Sequence, residues 1–182
     1  HANDAWQRSL GIGCMARSQG YEMPPYPAHL PMDHPDVAQW KHNARIIHEK
    51  NDGEQGRRIQ NMKTLWVADR FKCRDAFYYP MQMDFRGRFY YRCFFLNPQG
   101  SDLARALLEF AEGKPIVDDD GLRWLMVHGA NVYGLGKESW DARMRWVKDH
   151  QAEILAIGSN PWGWAAAFWQ GAKQPWQFLA FC

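Results

Sequence analysis

The run MDFRGRFYY, residues 83–91, holds a carboxylate and two guanidinium groups close together. Asp84, Arg86 and Arg88 are separated by single residues, and Gly87 between the arginines allows a positive φ or the close approach of another backbone. Arginine binds phosphate through its fork of donors, and a carboxylate can hold an arginine in one rotamer through a bidentate pair. The pattern therefore indicates either phosphate binding or an Asp–Arg pair that only stabilises a hairpin.

Aromatic and basic residues close to this run extend the same two interpretations. Tyr90 and Tyr91 offer flat faces for a base or a sugar, a composition typical of single-stranded nucleic-acid sites, although aromatic strand residues are more often core. Arg105 lies in the first turn of a predicted helix, where the helix dipole favours an anion. Glu109, four residues later, offers a plain ion pair as the alternative.

The charge of the chain is unevenly distributed. Residues 41–92 contain 12 Lys and Arg against 6 Asp and Glu, whereas the net charge of all 182 residues is only +2. A basic middle segment suggests a strip that faces a polyanion, and a solvated helix face is the alternative. No apolar run approaches the roughly 20 residues of a membrane helix.

Other chemistries have little support in the sequence. The four cysteines are scattered without paired spacing, which argues against a zinc ribbon or a disulfide framework and is typical of a reducing compartment. The histidines lack a matching carboxylate or thiolate cluster, and N-capping explains the acidic residues 118–120. We predict no metal site, and the chain contains no nucleophile elbow, P-loop or GxGxxG.

The positioning elements are predicted from apolar spacing and from breaker residues. A helix is expected over residues 1–20, followed by a proline-rich connector and a helix that opens at Pro35. The run NDGEQG is expected to end that helix, and a second helix is expected from Arg57 to Phe71. Its apolar face would carry Ile59, Met62 and Trp66. These two helices would form a helical hairpin with a basic exposed face.

The second half combines a β-hairpin with further helices. The aromatic runs AFYYPMQM and RFYYRCFF predict two strands around DFRG, with Pro80 marking an edge strand. Helices are expected from Ser101 or Asp102 to about Phe110, over residues 119–132, and from Ser139 to Gly158, before the strand-like run FLAFC. The predicted fold class is α+β, mostly helical.

Four segments taken in order resemble the single-subunit RNA polymerases of T7-like phages and mitochondria. The segments are YYPMQMDFRGR, NPQGSDLARALLEFAEGKPI, GLRWLMVHGANVYG and PWQFLAFC. The resemblance covers residues 57–182 and continues more loosely upstream. It implies a right-hand polymerase fold, in which residues 1–75 are a thumb-like helical segment and residues 76–182 are the N-terminal part of the palm with its DxxGR hairpin.

The resemblance also implies roles for individual residues. In this family the DxxGR element touches the template and the nascent RNA, a role that falls on Asp84, Arg86, Gly87 and Arg88. Tyr90 matches a tyrosine near the template.

Two further basic residues acquire roles in the same way. Arg105 replaces a lysine of the phage pattern near the hybrid, and Arg57 matches an arginine on the thumb-side helix that faces RNA. One extra residue between DFRGR and NPQG is expected to bulge the second strand.

The implied activity is DNA-directed RNA synthesis by nucleotidyl transfer. The family uses two Mg²⁺ ions held by two aspartates, and these aspartates would lie downstream of Cys182. The implied partners are the DNA template, nascent RNA, ribonucleoside triphosphates and the remainder of the polymerase chain, without a membrane. Both ends of the sequence suggest an internal fragment that is inactive alone, and NPQG favours the cytoplasm of a phage-infected host over a mitochondrion. The alternatives are a standalone nucleic-acid-binding module without catalysis and purely structural arginines.

Overall fold

The computed structural model describes residues 20–182, which form two compact units divided between Lys63 and Thr64. Helices predominate, and the described residues contain one antiparallel sheet of two strands. The α+β, mostly helical prediction is therefore confirmed. The helix predicted over residues 1–20 lies, except for its last residue, outside the described residues. No helix within residues 20–182 has the length and apolar character needed to span a membrane.

Helix α1, Pro35–Phe71, runs for 37 residues without interruption. It begins at Pro35 as predicted, but the expected break at NDGEQG, and with it the helical hairpin, is wrong. Gly53 and Gly56 each cost about 1 kcal/mol relative to alanine, which weakens a helix without ending it. A glycine that ends a helix usually adopts a left-handed conformation, and neither of these glycines has a positive φ.

In the first unit, the proline-rich connector is tied to α1 by specific polar contacts. Trp40 donates its indole N–H to the carbonyl of Pro24 at 2.8 Å, and its ring meets Tyr26 edge-on. Asn51 accepts the backbone N–H of Tyr21 at 2.7 Å and donates to the carbonyl of the same residue at 3.2 Å. These contacts fasten the connector to the helix at two separate levels.

The predicted apolar face of the C-terminal part of α1 is exposed in the structure. Ile59, Met62 and Trp66 remain 45%, 52% and 62% exposed, whereas Asn61 and Thr64 are buried. The Thr64 hydroxyl donates to the carbonyl of Phe95, so its polar group is satisfied without water. The buried position on this part of the helix is therefore taken by a hydrogen-bonded polar side chain, while the predicted apolar residues remain at the surface.

The β-hairpin consists of β1, Met81–Met83, and β2, Phe89–Tyr91. The strands are antiparallel, with Met81 opposite Tyr91 and Met83 opposite Phe89. Each strand is much shorter than the aromatic run that predicted it. The hairpin exists as predicted, and most of the aromatic residues on either side lie outside its ladder.

Aromatic residues that precede β1 pack side by side instead of extending the strand. Phe77 lies between Phe71, at the end of α1, and Tyr79, with ring centroids 4.9 and 5.4 Å away. Tyr79 then meets Tyr91 of β2 at 5.1 Å. This row of rings joins the hairpin to the end of α1, and burial raises the pKa of the Tyr79 hydroxyl to about 12.

Short helices make up the remainder of the second unit. They are α2 Asp102–Ala106, α3 Asp119–Ala130, a π-helical turn Asn131–Leu135, α4 Trp140–Asp149, α5 Gln151–Ser159, α6 Ala166–Gln170 and α7 Pro175–Phe181. Ser101, Asp118 and Ser139 cap the first turns of α2, α3 and α4 with their side-chain oxygens. These starting points agree with the sequence predictions.

Three predicted element bounds in this region are wrong. Helix α2 ends at Ala106 and does not continue to Phe110, and the helix after Ser139 is interrupted at His150. The FLAFC run belongs to helix α7 and not to a strand. A short apolar run does not distinguish a buried strand from a buried helix, and Pro175 at the first helical position is compatible with the helix.

The core of the second unit is aromatic. Trp169, Phe178 and Ile157 are fully buried. Tyr133 lies 4.4 Å from Trp146 and 4.9 Å from Phe168, measured between ring centroids. Helices α3 to α7 are packed around these rings, and the polar residues described below lie at the junction of α2 and α7.

Candidate nucleic-acid interface

Residues 84–88 form the tight turn between β1 and β2. The Asp84 N–H donates to the carbonyl of Arg88 at 2.9 Å, and the Gly87 N–H donates to the carbonyl of Asp84 at 3.0 Å. Gly87 has a φ of +78°, a left-handed conformation that a residue with a Cβ adopts only with strain. A turn followed by a left-handed glycine is a common three-residue hairpin connection, so the backbone itself favours glycine at position 87.

The Asp84 carboxylate organises the backbone of this turn. Its Oδ1 accepts the backbone N–H groups of Arg86 at 2.8 Å and Arg88 at 2.9 Å. The nearest approach of the Asp84 and Arg86 side chains is 3.4 Å, from Oδ2 to Nε, which is longer than a bidentate pair requires. The main task of Asp84 is therefore to hold the loop, and its ion pair with Arg86 is secondary.

The turn leaves the Arg88 side chain exposed and without an ion pair among the described residues. The neighbouring Arg86 lies with its guanidinium carbon 5.3 Å from the ring centroid of Phe85, which is itself almost fully exposed. Two cations and one flat ring therefore project from the tip of the hairpin. Such a group can bind phosphates and stack against a base or a sugar.

The NPQG segment supports the hairpin through a single side chain. Gln99 donates its amide N–H to the carbonyl of Phe89 at 3.1 Å, and its amide oxygen accepts the N–H of Tyr91 at 3.4 Å. The amide thus pairs with the free edge of β2 as a third strand would. The only signal of this role in the sequence is a glutamine in the turn directly after the predicted hairpin.

The two tyrosines of β2 have different environments. Tyr91 packs against Tyr79 and is half-buried, as the core interpretation predicts. Tyr90 is exposed and lies opposite Gln82 in the ladder. Tyr90 therefore remains available for stacking, while Tyr91 is structural.

The extra residue between DFRGR and NPQG does not bulge β2, which pairs with β1 in regular register. Instead, Phe95 adopts a φ of +67° in the irregular segment that follows. This conformation is uncommon for any residue other than glycine. The Phe95 carbonyl in this segment accepts the Thr64 hydroxyl.

Arg105, on α2, is held from the far end of the chain. Its Nη2 donates to the side-chain oxygen of Gln174 at 3.2 Å, and among the described residues it makes no ion pair. The pairing with Glu109 that its spacing suggested is not formed. Burial lowers the pKa of His128, and the positive charge of Arg105 lowers it further.

The predicted site residues divide between the two units. Asp84, Arg86, Gly87 and Arg88 are brought together by the turn, Tyr90 follows on β2, and Arg105 is on α2, all in the second unit. Arg57 belongs to the first unit, where it is exposed on α1. Within residues 20–182, no group of three or more His, Cys, Asp or Glu side chains is placed to hold a metal ion.

Comparison with known proteins agrees with this arrangement of motifs. A family model described as DNA-dependent RNA polymerase matches residues 115–182. The mitochondrial DNA-directed RNA polymerase 1B of Nicotiana tabacum is 40% identical over 152 residues, which are 82% of this chain and 15% of that protein. T7 RNA polymerase of Escherichia phage T7 is 34% identical over 161 residues, which are 88% of this chain and 18% of that protein.

The chain belongs to the single-subunit family of DNA-dependent RNA polymerases. The matches extend over most of the chain and include relatives from phages and from plant organelles, among them the chloroplastic/mitochondrial polymerase 2 of Arabidopsis thaliana at 37% identity over 148 residues. The chain spans less than a fifth of the length of the relatives named here.

Proposed function

We propose that this chain is part of a DNA-directed RNA polymerase and that its Asp84–Arg88 turn holds the DNA template and the RNA–DNA hybrid by their phosphates. Membership of the polymerase family supports the first part. The second part is supported by the different roles of the residues in the turn. Asp84 and Gly87 account for its backbone, whereas the Arg88 guanidinium has no partner among the described residues and no part in the fold.

Phosphate binding suits a polymerase because the hybrid must be held whatever its sequence and must then slide. Contacts to phosphate fix position without reading bases. They also release counterions, so binding weakens as salt rises. The basic composition of residues 41–92 supports the same role.

Three further residues are proposed to contact nucleic acid, two in the second unit and Arg57 in the first. Tyr90 supplies an exposed ring next to the turn, for stacking near the template. Arg105 supplies a cation near the hybrid, and Arg57 supplies one on α1 that faces RNA. The NPQG segment favours the cytoplasm of a phage-infected host, and this location is part of the proposal.

The proposed activity of the whole protein is transfer of ribonucleotides onto a growing RNA chain. In the family this chemistry uses two Mg²⁺ ions, which would act on the attacking and leaving oxygens. The part of residues 20–182 is to bind and orient the nucleic acid.

Binding of a labelled RNA–DNA hybrid by the 182-residue chain, measured over a series of salt concentrations, tests the proposal. Arg88→Ala should weaken binding about tenfold, roughly 1.4 kcal/mol, because one charge-assisted phosphate contact is lost. The slope of log K against log salt should fall by about one. Hybrids of unrelated sequence should show the same loss.

Arg145→Ala is the matched control, because Arg145 is also an exposed arginine of the second unit but lies on α4. Its removal changes the net charge equally and should leave the affinity within about twofold, as expected for a distant screened charge. Equal losses of affinity in the two variants would show that Arg88 acts only through the net charge of the chain, and the assignment of the turn would be wrong.

A further inference from the structure

Arg105 is held by a closed ring of polar side chains that joins α2 to the start of α7. The Gln174 side-chain oxygen accepts from Arg105 Nη2 at 3.2 Å and from Gln177 Nε2 at 2.6 Å. Gln177 Nε2 also donates to Asp102 Oδ1 at 3.2 Å. Because Asp102 and Arg105 belong to the same short helix, the ring returns to the element on which it began.

Asp102 takes over the capping of α7 from the residue that would normally provide it. Gln174 is the N-cap residue, yet its side chain makes no capping hydrogen bond. The Asp102 carboxylate instead accepts the backbone N–H of Trp176 at 3.0 Å and that of Gln177 at 3.0 Å. These are the N–H groups that an N-cap side chain ordinarily satisfies. The exchange leaves the Gln174 oxygen free to accept from Arg105.

The ring fixes the Arg105 side chain without neutralising its charge. Asp102 lies three residues before Arg105 on α2, a spacing at which oppositely charged side chains commonly pair. Its carboxylate is occupied by α7, however, and the acceptor that Arg105 finds is a neutral amide. A buried structural arginine is ordinarily paired with a carboxylate. Arg105 is instead oriented by a neutral acceptor, and its Nε is buried without a hydrogen-bond partner among the described residues.

The surroundings of Arg105 preserve this charge. Burial lowers the pKa of His128 of α3, and the positive charge of Arg105 lowers that pKa further. Gln177 is buried, which shields the hydrogen bonds of the ring from water.

We propose that Gln174, supported by Gln177 and Asp102, is a positioning residue that presents Arg105 to a nucleic-acid phosphate as an oriented and uncompensated cation. This inference rests on the proposed function, since it requires a bound hybrid. It adds Gln174 and Gln177 to the interface proposed for residues 84–105.

The decisive variant is Gln174→Glu in the 182-residue chain. Glutamate has nearly the same shape and retains the acceptor for Arg105 and Gln177, so a purely structural role predicts unchanged hybrid binding. If the uncompensated charge matters, the new carboxylate pairs with Arg105 and weakens binding about tenfold, as Arg105→Ala should. The slope of log K against log salt should fall by about one in both variants.

A double-mutant cycle separates positioning from folding. Gln174→Glu should have no further effect on affinity when Arg105 is already alanine. The reason is that the new carboxylate weakens binding only by pairing with the Arg105 guanidinium. Gln174→Met, which keeps the length but loses the acceptor, should weaken binding about threefold. Arg143→Ala is the matched control, since Arg143 is likewise held by a neutral oxygen, the Gly136 carbonyl at 2.7 Å. It should leave the affinity unchanged.

Each result either supports the proposal or overturns it. Normal binding by Gln174→Glu, with weakened binding by Arg105→Ala, would overturn the positioning role and leave the proposed function intact. Equal losses from Gln174→Glu with and without Arg105 would show an effect through the fold, and would also overturn it. If Arg88→Ala and Arg105→Ala both bind normally, the proposed function fails and the inference fails with it.

Discussion

The second unit presents two arginines in opposite ways. Arg88 extends from a turn whose hydrogen bonds all lie within five residues, with Asp84 and Gly87 as its supports. Arg105 is held by Gln174, 69 residues further along the chain, through a ring of side chains. The first arrangement forms as soon as the hairpin does, whereas the second requires the packing of α2 against α7.

This difference has an energetic consequence. Closing a loop of only five residues costs little chain entropy, so the hydrogen bonds of the turn do not depend on distant residues. The ring shares few acceptors among many donors, so the loss of one acceptor such as Asp102 leaves several donors unsatisfied at once. Substitutions in the turn should therefore cause a small, local loss of stability, whereas substitutions in the ring should cause a large, cooperative loss.

The largest expected effect follows from Asp102→Ala. This change removes the acceptor for three N–H donors, two on the backbone and one on Gln177, at the α2–α7 junction. The free energy of unfolding should fall by about 3 kcal/mol, since buried donors to a charged acceptor are left unsatisfied. Urea denaturation followed by near-ultraviolet circular dichroism measures the loss.

Asp119→Ala provides the matched control for that change. Asp119 is also an acidic residue in the first turn of a helix, but it is exposed and caps nothing itself. A loss below about 0.5 kcal/mol is expected. Comparable losses from the two substitutions would show that the ring adds nothing beyond helix-terminal charge.

A smaller effect is expected from Asp84→Ala at the turn. The amides of Arg86 and Arg88 lose their shared acceptor, but both are exposed and water replaces it in part. We expect a loss of about 1 kcal/mol, with faster hydrogen exchange at these two amides. Asp84→Asn, which keeps an oxygen acceptor, should lose less than half as much. A loss as large as that of Asp102→Ala would contradict the contrast between the two regions.

The same contrast explains which features the sequence reveals. Asp84 and Gly87 are predictable because the turn chemistry is encoded within five residues. The continuity of α1 through Gly53 and Gly56 is not predictable locally. Each glycine costs about 1 kcal/mol, and the stability of the surrounding helix determines whether that cost ends the helix. The helical state of FLAFC and the partner of Arg105 depend on contacts between residues some 70 positions apart, which local periodicity does not contain.

Gly87→Ala should have a modest effect limited to the turn. Alanine resists the φ of +78° found there, at a cost of about 1 kcal/mol, although no neighbouring atom would contact its Cβ. Gly136→Ala is a suitable control, because that glycine has a negative φ and open space around it. Nuclear magnetic resonance shifts of the hairpin should move in the first variant only. Unchanged hairpin shifts in Gly87→Ala would show that the turn does not depend on the left-handed glycine.

The smallest expected effect concerns His128, and it reports on the charge of Arg105 directly. Because the folded state lowers the pKa of this imidazole, the folded protein binds its proton less readily than the unfolded chain does. Stability should therefore fall as the pH drops below about 6.5, the ordinary pKa of histidine, towards the lower pKa of the folded state. Arg105→Ala should raise the His128 pKa by removing a nearby cation, and Gln174→Glu should raise it by neutralising that cation. A titration of His128 by nuclear magnetic resonance that gave the same pKa in all three proteins would mean that Arg105 carries no uncompensated charge at the α2–α7 junction.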